Sequence, residues 1–231
     1  ADMQFVEKVP WVSRLGIHYH LGVDGLSLFL VLLTTLLMPV ILLAAWRAVD
    51  NNVKAFLFFF LMLETGVLGV FTALDLVLFY VFWEAMLIPT YFLIGLWGGK
   101  RRRYATIKFF LYTMAGSALM LVGILYLAAA NAQAGMGFSF DLLTLYDLEL
   151  SPQAQFWLFL AFGLAFAVKA PLFPFHTWLP DAYGESVAPV TAILAGVLSK
   201  MGVYGFLRLC LPLFPDAVPV FAPIVAVLAI V

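Results

Sequence analysis

The stretch that decides the fold is AFAVKAPLFPFHTWLPDAYGES, residues 165–186, in which charged residues and prolines interrupt a long apolar run. The run that leads into it, Phe156–Val168, predicts a helix, and Lys169 then lies roughly 20 Å from the helix start at 1.5 Å per residue. That depth is near the middle of a hydrocarbon core about 30 Å thick. Pro171 and Pro174 remove backbone donors directly afterwards, so we predict that the helix breaks there. A buried amine beside a broken helix is typical of a cavity or an ion path.

The composition is that of a polytopic membrane protein. Of the 231 residues, 65% are hydrophobic and only 11% are charged, which is more apolar surface than a soluble domain of this size can bury. The formal net charge of -1 gives no basic field for nucleic acid. Because Cys210 is the one cysteine, a disulfide framework, a cysteine-ligated iron–sulfur cluster and a CxxC redox motif are excluded on this chain.

Apolar runs along the chain predict an all-α transmembrane bundle. Residues 1–53 are interpreted as an external loop and one helix, 54–209 as a five-helix unit, and 218–231 as the start of a further helix. Because the chain ends inside an apolar run, we expect it to be part of a longer protein. The helices are predicted at about 26–46, 54–73, 76–97, 104–130, 156–183 (broken at 169–174), 187–209 and 218–231.

Basic residues between the predicted helices predict how the chain is oriented in the membrane. Lys100–Arg103 is the strongest positive cluster, whereas the loop 131–155 contains acids and no Lys or Arg. Cytoplasmic loops of membrane proteins carry the excess of Lys and Arg. We therefore expect Lys100–Arg103 on the cytoplasmic or matrix side, and residues 1–24 and 131–155 on the opposite side.

Four ionisable residues are predicted deep within spans: Glu64, Glu84, Lys169 and Lys200. Each costs a few kcal/mol on insertion scales, and intramembrane charge is functional by default. Structural pairing of acids with bases is the alternative, but it does not explain why two acids and two bases lie at similar depth. A row of titratable groups at one depth is what a lateral proton relay needs. Burial and a nearby opposite charge act in opposite directions on proton affinity, so a Glu–Lys pair can exchange a proton when one partner moves.

Three further residues near the predicted break are weaker candidates for the proton relay. His176 can titrate or bridge a water chain, although a lone histidine is often only hydrogen-bonded. Asp181 and Glu185 lie near the cytoplasmic end, where a solvated face is the commoner interpretation and a channel mouth is the alternative. Small residues around Lys200 predict close helix packing, with this lysine buried and directed into the bundle. We predict no metal site and no bound cofactor on this chain.

Several segments together resemble a known family. GVDGLSLFLVLLTTLL opens the first helix, Phe82-Trp83-Glu84 is followed by Pro89, and ILAGVLSKMGVYGFLRL carries Lys200. The segment VKAPLFPFHTWLPDA is shared more widely, with sodium/proton antiporters and membrane-bound hydrogenases. The chain resembles the NuoM-type (chain 4) antiporter-like membrane subunits of respiratory complex I, the proton-pumping NADH:quinone oxidoreductase.

The resemblance implies a fold, a site and partners. The fold would be the first five-helix half of an antiporter-like inverted repeat. The relay would consist of Glu84, Lys169, His176 and Lys200, with Glu64 not covered by an equally firm motif. Flavin, iron–sulfur clusters and quinone would be held by partner subunits, including neighbouring antiporter-like subunits in the membrane arm. Two alternatives stay open: a subunit of a cation/proton antiporter or of a ferredoxin- or hydrogenase-linked pump, and a purely structural scaffold.

Overall fold

The segment before the first helix is a β-hairpin in the computed structural model, which describes residues 3–230. Strand β1 (Gln4–Val12) pairs antiparallel with β2 (Ile17–Val23), with Lys8 opposite His20. Gly16 closes the connection in the left-handed region, at φ 66°, where a side chain would be strained. The sequence prediction of a surface loop is therefore wrong. The hairpin could not be predicted from an alternation of buried and exposed residues, because β1 is exposed along its whole length and only β2 has a buried face.

The rest of the described chain is helical, as the sequence predicts. Five segments are long and apolar enough to cross a membrane: α1, α2, α3 with α4, α5 and α9. The helices are α1 (Gly25–Ala45), α2 (Val53–Thr72), α3 (Leu76–Ala85), α4 (Leu87–Trp97), α5 (Arg102–Gln133), α6 (Leu142–Leu145), α7 (Pro152–Lys169), α8 (Trp178–Glu185), α9 (Ala188–Leu213) and α10 (Val218–Ile230).

The loops gather at two ends of the bundle. At the hairpin end, the Leu74 N–H donates to the carbonyl of His20 at 2.8 Å, and the Leu142 N–H donates to the carbonyl of Leu74 at 2.8 Å. At the basic end, the Trp97 indole donates to the carbonyl of Asn51 at 2.9 Å, and the Gly99 N–H donates to the carbonyl of Glu185 at 2.7 Å. Each end thus joins loops that are distant in sequence.

Four helices that begin at the hairpin end have side-chain caps. Asp24, Asp75, Asp141 and Ser151 each accept backbone N–H groups at the first turn of α1, α3, α6 and α7. These oxygens satisfy donors that have no partner within the helix, and the carboxylates also oppose the positive end of the helix dipole. The helices that begin at the basic end, α2, α5 and α9, have no side-chain cap.

Helix α7 packs against α3, α5 and α9. A Cβ on Gly116 of α5 would come within 3.1 Å of the Val168 side chain, and a Cβ on Gly202 of α9 would come within 2.5 Å of the Ala170 nitrogen. The ring of Trp83 on α3 meets the Phe166 ring edge-on, with centroids 5.5 Å apart. The helices that carry Glu84 and Lys200 therefore both pack against the helix that carries Lys169.

A buried ion pair joins the start of α1 to the far part of α9. The guanidinium of Arg208 donates to Asp24 at 2.5 Å, and the two side chains are only 7% and 9% exposed. The Arg208 Nε also donates to the hydroxyl of Tyr204 at 3.1 Å, and that hydroxyl donates to the carbonyl of Phe71 at 3.0 Å. The hydroxyl of Tyr146 donates to the carbonyl of Arg208 at 2.9 Å. The network connects α1, α2, α9 and the loop after α6 at the hairpin end.

Replacement of Arg208 by Met should destabilise the fold by about 3–5 kcal/mol, because it leaves the Asp24 carboxylate buried without its partner. The same substitution at Arg47, which is exposed, is the matched control and should change stability little. Thermal unfolding in detergent can be followed by dye labelling of Cys210, which is buried in the fold. Equal unfolding temperatures for the two variants would contradict this role.

Acid should weaken the same ion pair. Burial by itself raises the pKa of Asp24, but hydrogen bonds from Arg208 and the Ser27 backbone outweigh burial and hold the pKa at about 2, below its ordinary 3.8. A carboxylate whose pKa is lower in the folded state stabilises that state above its unfolded pKa and stops doing so as pH falls through the folded pKa. The difference in unfolding temperature between wild type and Asp24→Asn should therefore shrink as pH falls from about 4 towards 2. A difference that stays constant over this range would be inconsistent with the pair.

Candidate functional site

The centre of the site is the break between α7 and α8. Helix α7 ends at Lys169, and turns lead from there to α8, which begins at Trp178. The Leu172 N–H reaches back to the carbonyl of Ala167 at 2.9 Å, and the Trp178 indole donates to the carbonyl of Val168 at 2.9 Å. Pro171 has no N–H for the carbonyl of Ala167, so the Leu172 N–H bonds that carbonyl, and the Trp178 indole bonds the Val168 carbonyl in place of Leu172.

Lys169 is buried among aromatic rings. The residue is 2% exposed, and its Nζ lies 5.6 Å from the ring centres of both Trp83 and Phe109. Both distances are within the range of a cation–π interaction. The Nζ has no hydrogen-bond partner among the described residues. The rings therefore hold the charge in place without taking its proton.

Glu84 lies next to a second helix interruption. Helix α3 ends at Ala85 and α4 begins at Leu87, and Pro89 lacks the N–H that would bond the carbonyl of Ala85. The Glu84 Oε1 is buried and has no hydrogen-bond partner within residues 3–230. Glu84 interacts electrostatically with Lys169, but the structure places no salt bridge between them in this part of the chain. The two groups are neighbours without direct contact, so proton exchange between them needs a movement or an intervening water.

His176 and Glu64 are also without described partners. The His176 Nδ1 is buried and unpaired within residues 3–230, and its ring stacks on Phe173 with centroids 5.7 Å apart. Glu64 is half-buried on α2, and no hydrogen bond or ion pair to it occurs in the described part of the chain. His176 follows the break directly, whereas Glu64 lies on a different helix from the other candidates.

The sequence interpretation of Lys200 as buried is wrong. Lys200 is exposed on the surface of the bundle, and its Nζ donates to the carbonyl of Ala195 at 2.6 Å. A π-helical turn, Leu194–Leu198, precedes it, and a second, Phe206–Cys210, follows. Ala188 and Ala192, two of the small residues on the same helix, are exposed as well. The small residues therefore mark an open face of this chain rather than a face that packs inside its bundle.

Asp181 and Glu185 bind the basic loop. The Lys108 Nζ lies 2.7 Å and the Arg101 Nη2 3.5 Å from the Asp181 carboxylate. The carboxylate of Glu185 accepts the backbone N–H of Arg101 at 2.8 Å. Both acids are thus paired at the basic end rather than lying on a freely solvated face.

Sequence reasoning missed the groups that surround the candidates. Ser117 lies beside both the Glu84 carboxyl and the Tyr80 hydroxyl, and the hydroxyl of Thr177 donates to that of Tyr112 at 2.8 Å. Thr113 and Ser117 are polar residues four apart in the mainly apolar middle of α5, which was a readable signal. The Tyr112–Thr177 contact joins residues 65 positions apart and gave no local signal.

The fold and the site define an antiporter-like membrane protein with a lysine at a broken helix. The chain belongs to the family described as NADH:quinone oxidoreductase/Mrp antiporter, which residues 73–231 match. Residues 4–70 match the amino terminus of NADH-ubiquinone oxidoreductase chain 4.

Curated relatives include NADH-quinone oxidoreductase subunit M of Rhodobacter capsulatus, 49% identical over 99% of this chain and 46% of its own length. The subunit M of Pseudomonas aeruginosa is 46% identical over 97% of this chain and 45% of its own length. The chain thus spans about half the length of these relatives.

Two solved structures align with most of this chain. A chain of respiratory complex I from Thermus thermophilus aligns with a TM-score of 0.83 and 36% identity, over 97% of this chain and 46% of the other. A chain of the Mrp complex from Dietzia sp. DQ12-45-1b aligns with a TM-score of 0.77 and 25% identity, over 92% of this chain and 24% of the other.

Replacement of Gly202 by Ala should disturb the packing of the backbone next to Lys169. The added methyl would lie 2.5 Å from the nitrogen of Ala170, the C-cap of α7, and 2.6 Å from the carbonyl oxygen of Phe166 in its last turn. Overpacking of this kind costs about 1–3 kcal/mol, and the unfolding temperature should fall. Gly184→Ala is the control, because no atom lies within 4 Å of its added methyl. If the Gly202→Ala protein unfolds at the same temperature as this control, the close approach of α9 to α7 does not require a glycine at position 202.

Proposed function

We propose that this chain is a proton-translocating membrane-arm subunit of complex I, the NADH:quinone oxidoreductase. The observation that carries the proposal is the buried Lys169 amine, which has no hydrogen-bond partner among the described residues and lies at a broken helix within electrostatic reach of Glu84. Such a group can gain and lose a proton at modest cost when its surroundings change. The membership of the NADH:quinone oxidoreductase/Mrp antiporter family and the similarity to subunit M proteins support it.

The relay starts with the state of Glu84. While the Glu84 carboxylate is charged, it favours the ammonium form of Lys169. When Glu84 is neutralised or moves away, Lys169 holds its proton less tightly. The proton then leaves the ammonium nitrogen for a nitrogen of His176 or an entering water, and Lys169 becomes a neutral amine. Lys200, on the exposed face of α9, would take the proton and pass it out of this bundle.

The energy for this cycle would come from partner subunits. Flavin, iron–sulfur clusters and quinone would lie on those partners, which include neighbouring antiporter-like subunits. In this arrangement electron transfer acts on Glu84 through charge or movement rather than through a redox group on this chain. The complex would lie in a bacterial inner membrane or the mitochondrial inner membrane, with Lys100–Arg103 on the cytoplasmic or matrix side.

A cation/proton antiporter is the second candidate, favoured by the similarity to the Mrp complex. An antiporter subunit would use the same helices but would couple proton movement to a cation such as sodium. Sodium prefers oxygen ligands, and the candidate groups here include two amines and an imidazole, which suit protons better. Transport that depends on sodium would favour this second function.

Replacement of Glu84 by Gln should abolish most proton pumping, since a neutral amide cannot alternate the charge next to Lys169. Lys169→Ala should have the same effect because it removes the proton-carrying amine. Pumping can be measured in inverted membrane vesicles by the quenching of a pH-sensitive dye during NADH oxidation, normalised to the amount of assembled complex.

Glu64→Gln is the matched control, because it removes an equal charge from a helix outside the Glu84–Lys169 pair. It should affect pumping less than Glu84→Gln. Wild-type pumping by the Lys169→Ala protein would refute the proposed relay.

A further inference from the structure

A surface groove lies between α4 and α5 near the basic end. The two helices come close where Gly95 faces Thr106, because a Cβ on this glycine would lie 3.5 Å from the threonine hydroxyl oxygen. Leu96 of α4 and Ile107 of α5, each 50% exposed, line the groove from the two helices. Its volume of about 280 Å³ is close to the lower limit of ligand pockets. The groove can therefore hold one narrow apolar group.

The groove extends over part of one membrane leaflet. On α4 it reaches Tyr91, which is six residues before Trp97 at the helix end, or about 9 Å at 1.5 Å per residue. Half of a hydrocarbon core is about 15 Å thick. The hydroxyl of Thr106 already donates to the carbonyl of Arg102 at 2.7 Å, so the inner part of the groove is mainly apolar. These properties match the upper part of a lipid acyl chain.

Arg103 connects this groove to a polar cavity. The polar cavity is formed by residues 98–104, which comprise the basic loop and the start of α5, and its volume is about 700 Å³. Arg103 lines both the polar cavity and the apolar groove. The two concavities together therefore fit a molecule that has a charged end and an apolar tail.

Two cations at the polar cavity have no counter-charge. Lys108 and Arg101 are paired with Asp181, at 2.7 and 3.5 Å. The side chains of Lys100 and Arg103 are exposed, and they make no hydrogen bond or ion pair within residues 3–230. Basic residues that directly adjoin a membrane helix attract anionic lipids. A phosphate group would supply the counter-charge that the chain itself does not provide.

We propose that the groove between α4 and α5 binds one acyl chain of an anionic phospholipid, whose phosphate is bound by Arg103 and Lys100. The guanidinium of Arg103 donates two N–H groups to phosphate oxygens, and Lys100 adds positive charge from the same cavity. The acyl chain packs between Leu96 and Ile107. The site does not depend on the proposed proton relay, because it uses none of the relay residues.

A second groove at the basic end provides an internal comparison. It lies between α1 and α2, has a volume of about 610 Å³, and is lined by Trp46 and Asp50 among others. Asp50 provides a carboxylate where the first groove has Arg103, and like charges repel a phosphate. The second groove is larger, so lipid should enter it, but without the preference for an anionic headgroup.

The test uses photoreactive lipids and the assembled complex in membranes. Phosphatidylglycerol and phosphatidylcholine probes carry the same acyl chain with a diazirine near the glycerol, and mass spectrometry identifies the labelled peptides. The phosphatidylglycerol probe should label residues 91–107 several-fold more than the phosphatidylcholine probe. Residues 39–57, which contain the second groove, should show no such preference. Labelling is normalised to the amount of assembled complex.

Three variants separate the charged and apolar parts of the site. Arg103→Gln should reduce phosphatidylglycerol labelling of residues 91–107 roughly fivefold, the effect of one basic residue beside an anionic lipid. Arg47→Gln is the matched control, because it removes an exposed arginine at the same end of the bundle but outside this groove, and labelling should not change. Gly95→Leu should fill the groove and reduce labelling by both probes.

Four results would overturn the site. Equal labelling of residues 91–107 by the two probes would mean that bulk lipid enters the groove without headgroup selection. Unchanged labelling of Arg103→Gln would mean that the arginine does not bind the headgroup. Unchanged labelling of an assembled Gly95→Leu protein would place the acyl chain elsewhere. Absence of labelling in the complex would mean that another subunit covers the groove.

Discussion

The structure depends on the burial of one amine in a low-dielectric interior. A lysine nitrogen removed from water loses several kcal/mol of solvation, and the loss has to be offset by nearby charge or by aromatic faces. Around Lys169 both are present: Trp83 and Phe109 face the nitrogen, and Glu84 interacts with it from a neighbouring helix. Among the described residues, no hydrogen bond or ion pair is made by the amine.

Three kinds of contact hold the helices together. A helix that ends inside a bundle leaves carbonyl groups without donors, and here the Trp178 indole bonds one of them. Glycines on α5 and α9 allow the backbone of α7 to come close on both sides. The ion pair between Asp24 and Arg208 then joins α1 to α9 at the hairpin end, while Asp181 and Glu185 hold the basic loop at the other end. The two ends are fixed by charge, and the centre by close packing.

Much of the candidate site was readable because charges are rare in an apolar chain. Glu84, Lys169 and His176 stand out by depth and by the prolines beside them, and the structure places all three at helix interruptions or next to one. Lys200 stood out equally, but its direction was predicted wrongly because the small residues near it lie on an exposed face of the chain. The hairpin was missed because β1 is exposed along its whole length and its pairing with β2 is defined across a turn.

The sequence by itself determined the membrane bundle, the broken helix and the identity of the titratable residues. Hydrophobic length, proline and isolated charge are local properties, and each has a local physical consequence. Only the tertiary structure decided which of these groups meet. The aromatic rings around the Lys169 amine, the Asp24–Arg208 pair and the Tyr112–Thr177 contact each bring together distant parts of the chain. The same is true of the arrangement of Glu84 and Lys169. Such contacts arise from the packing of whole helices, and side-chain spacing along one helix does not encode them.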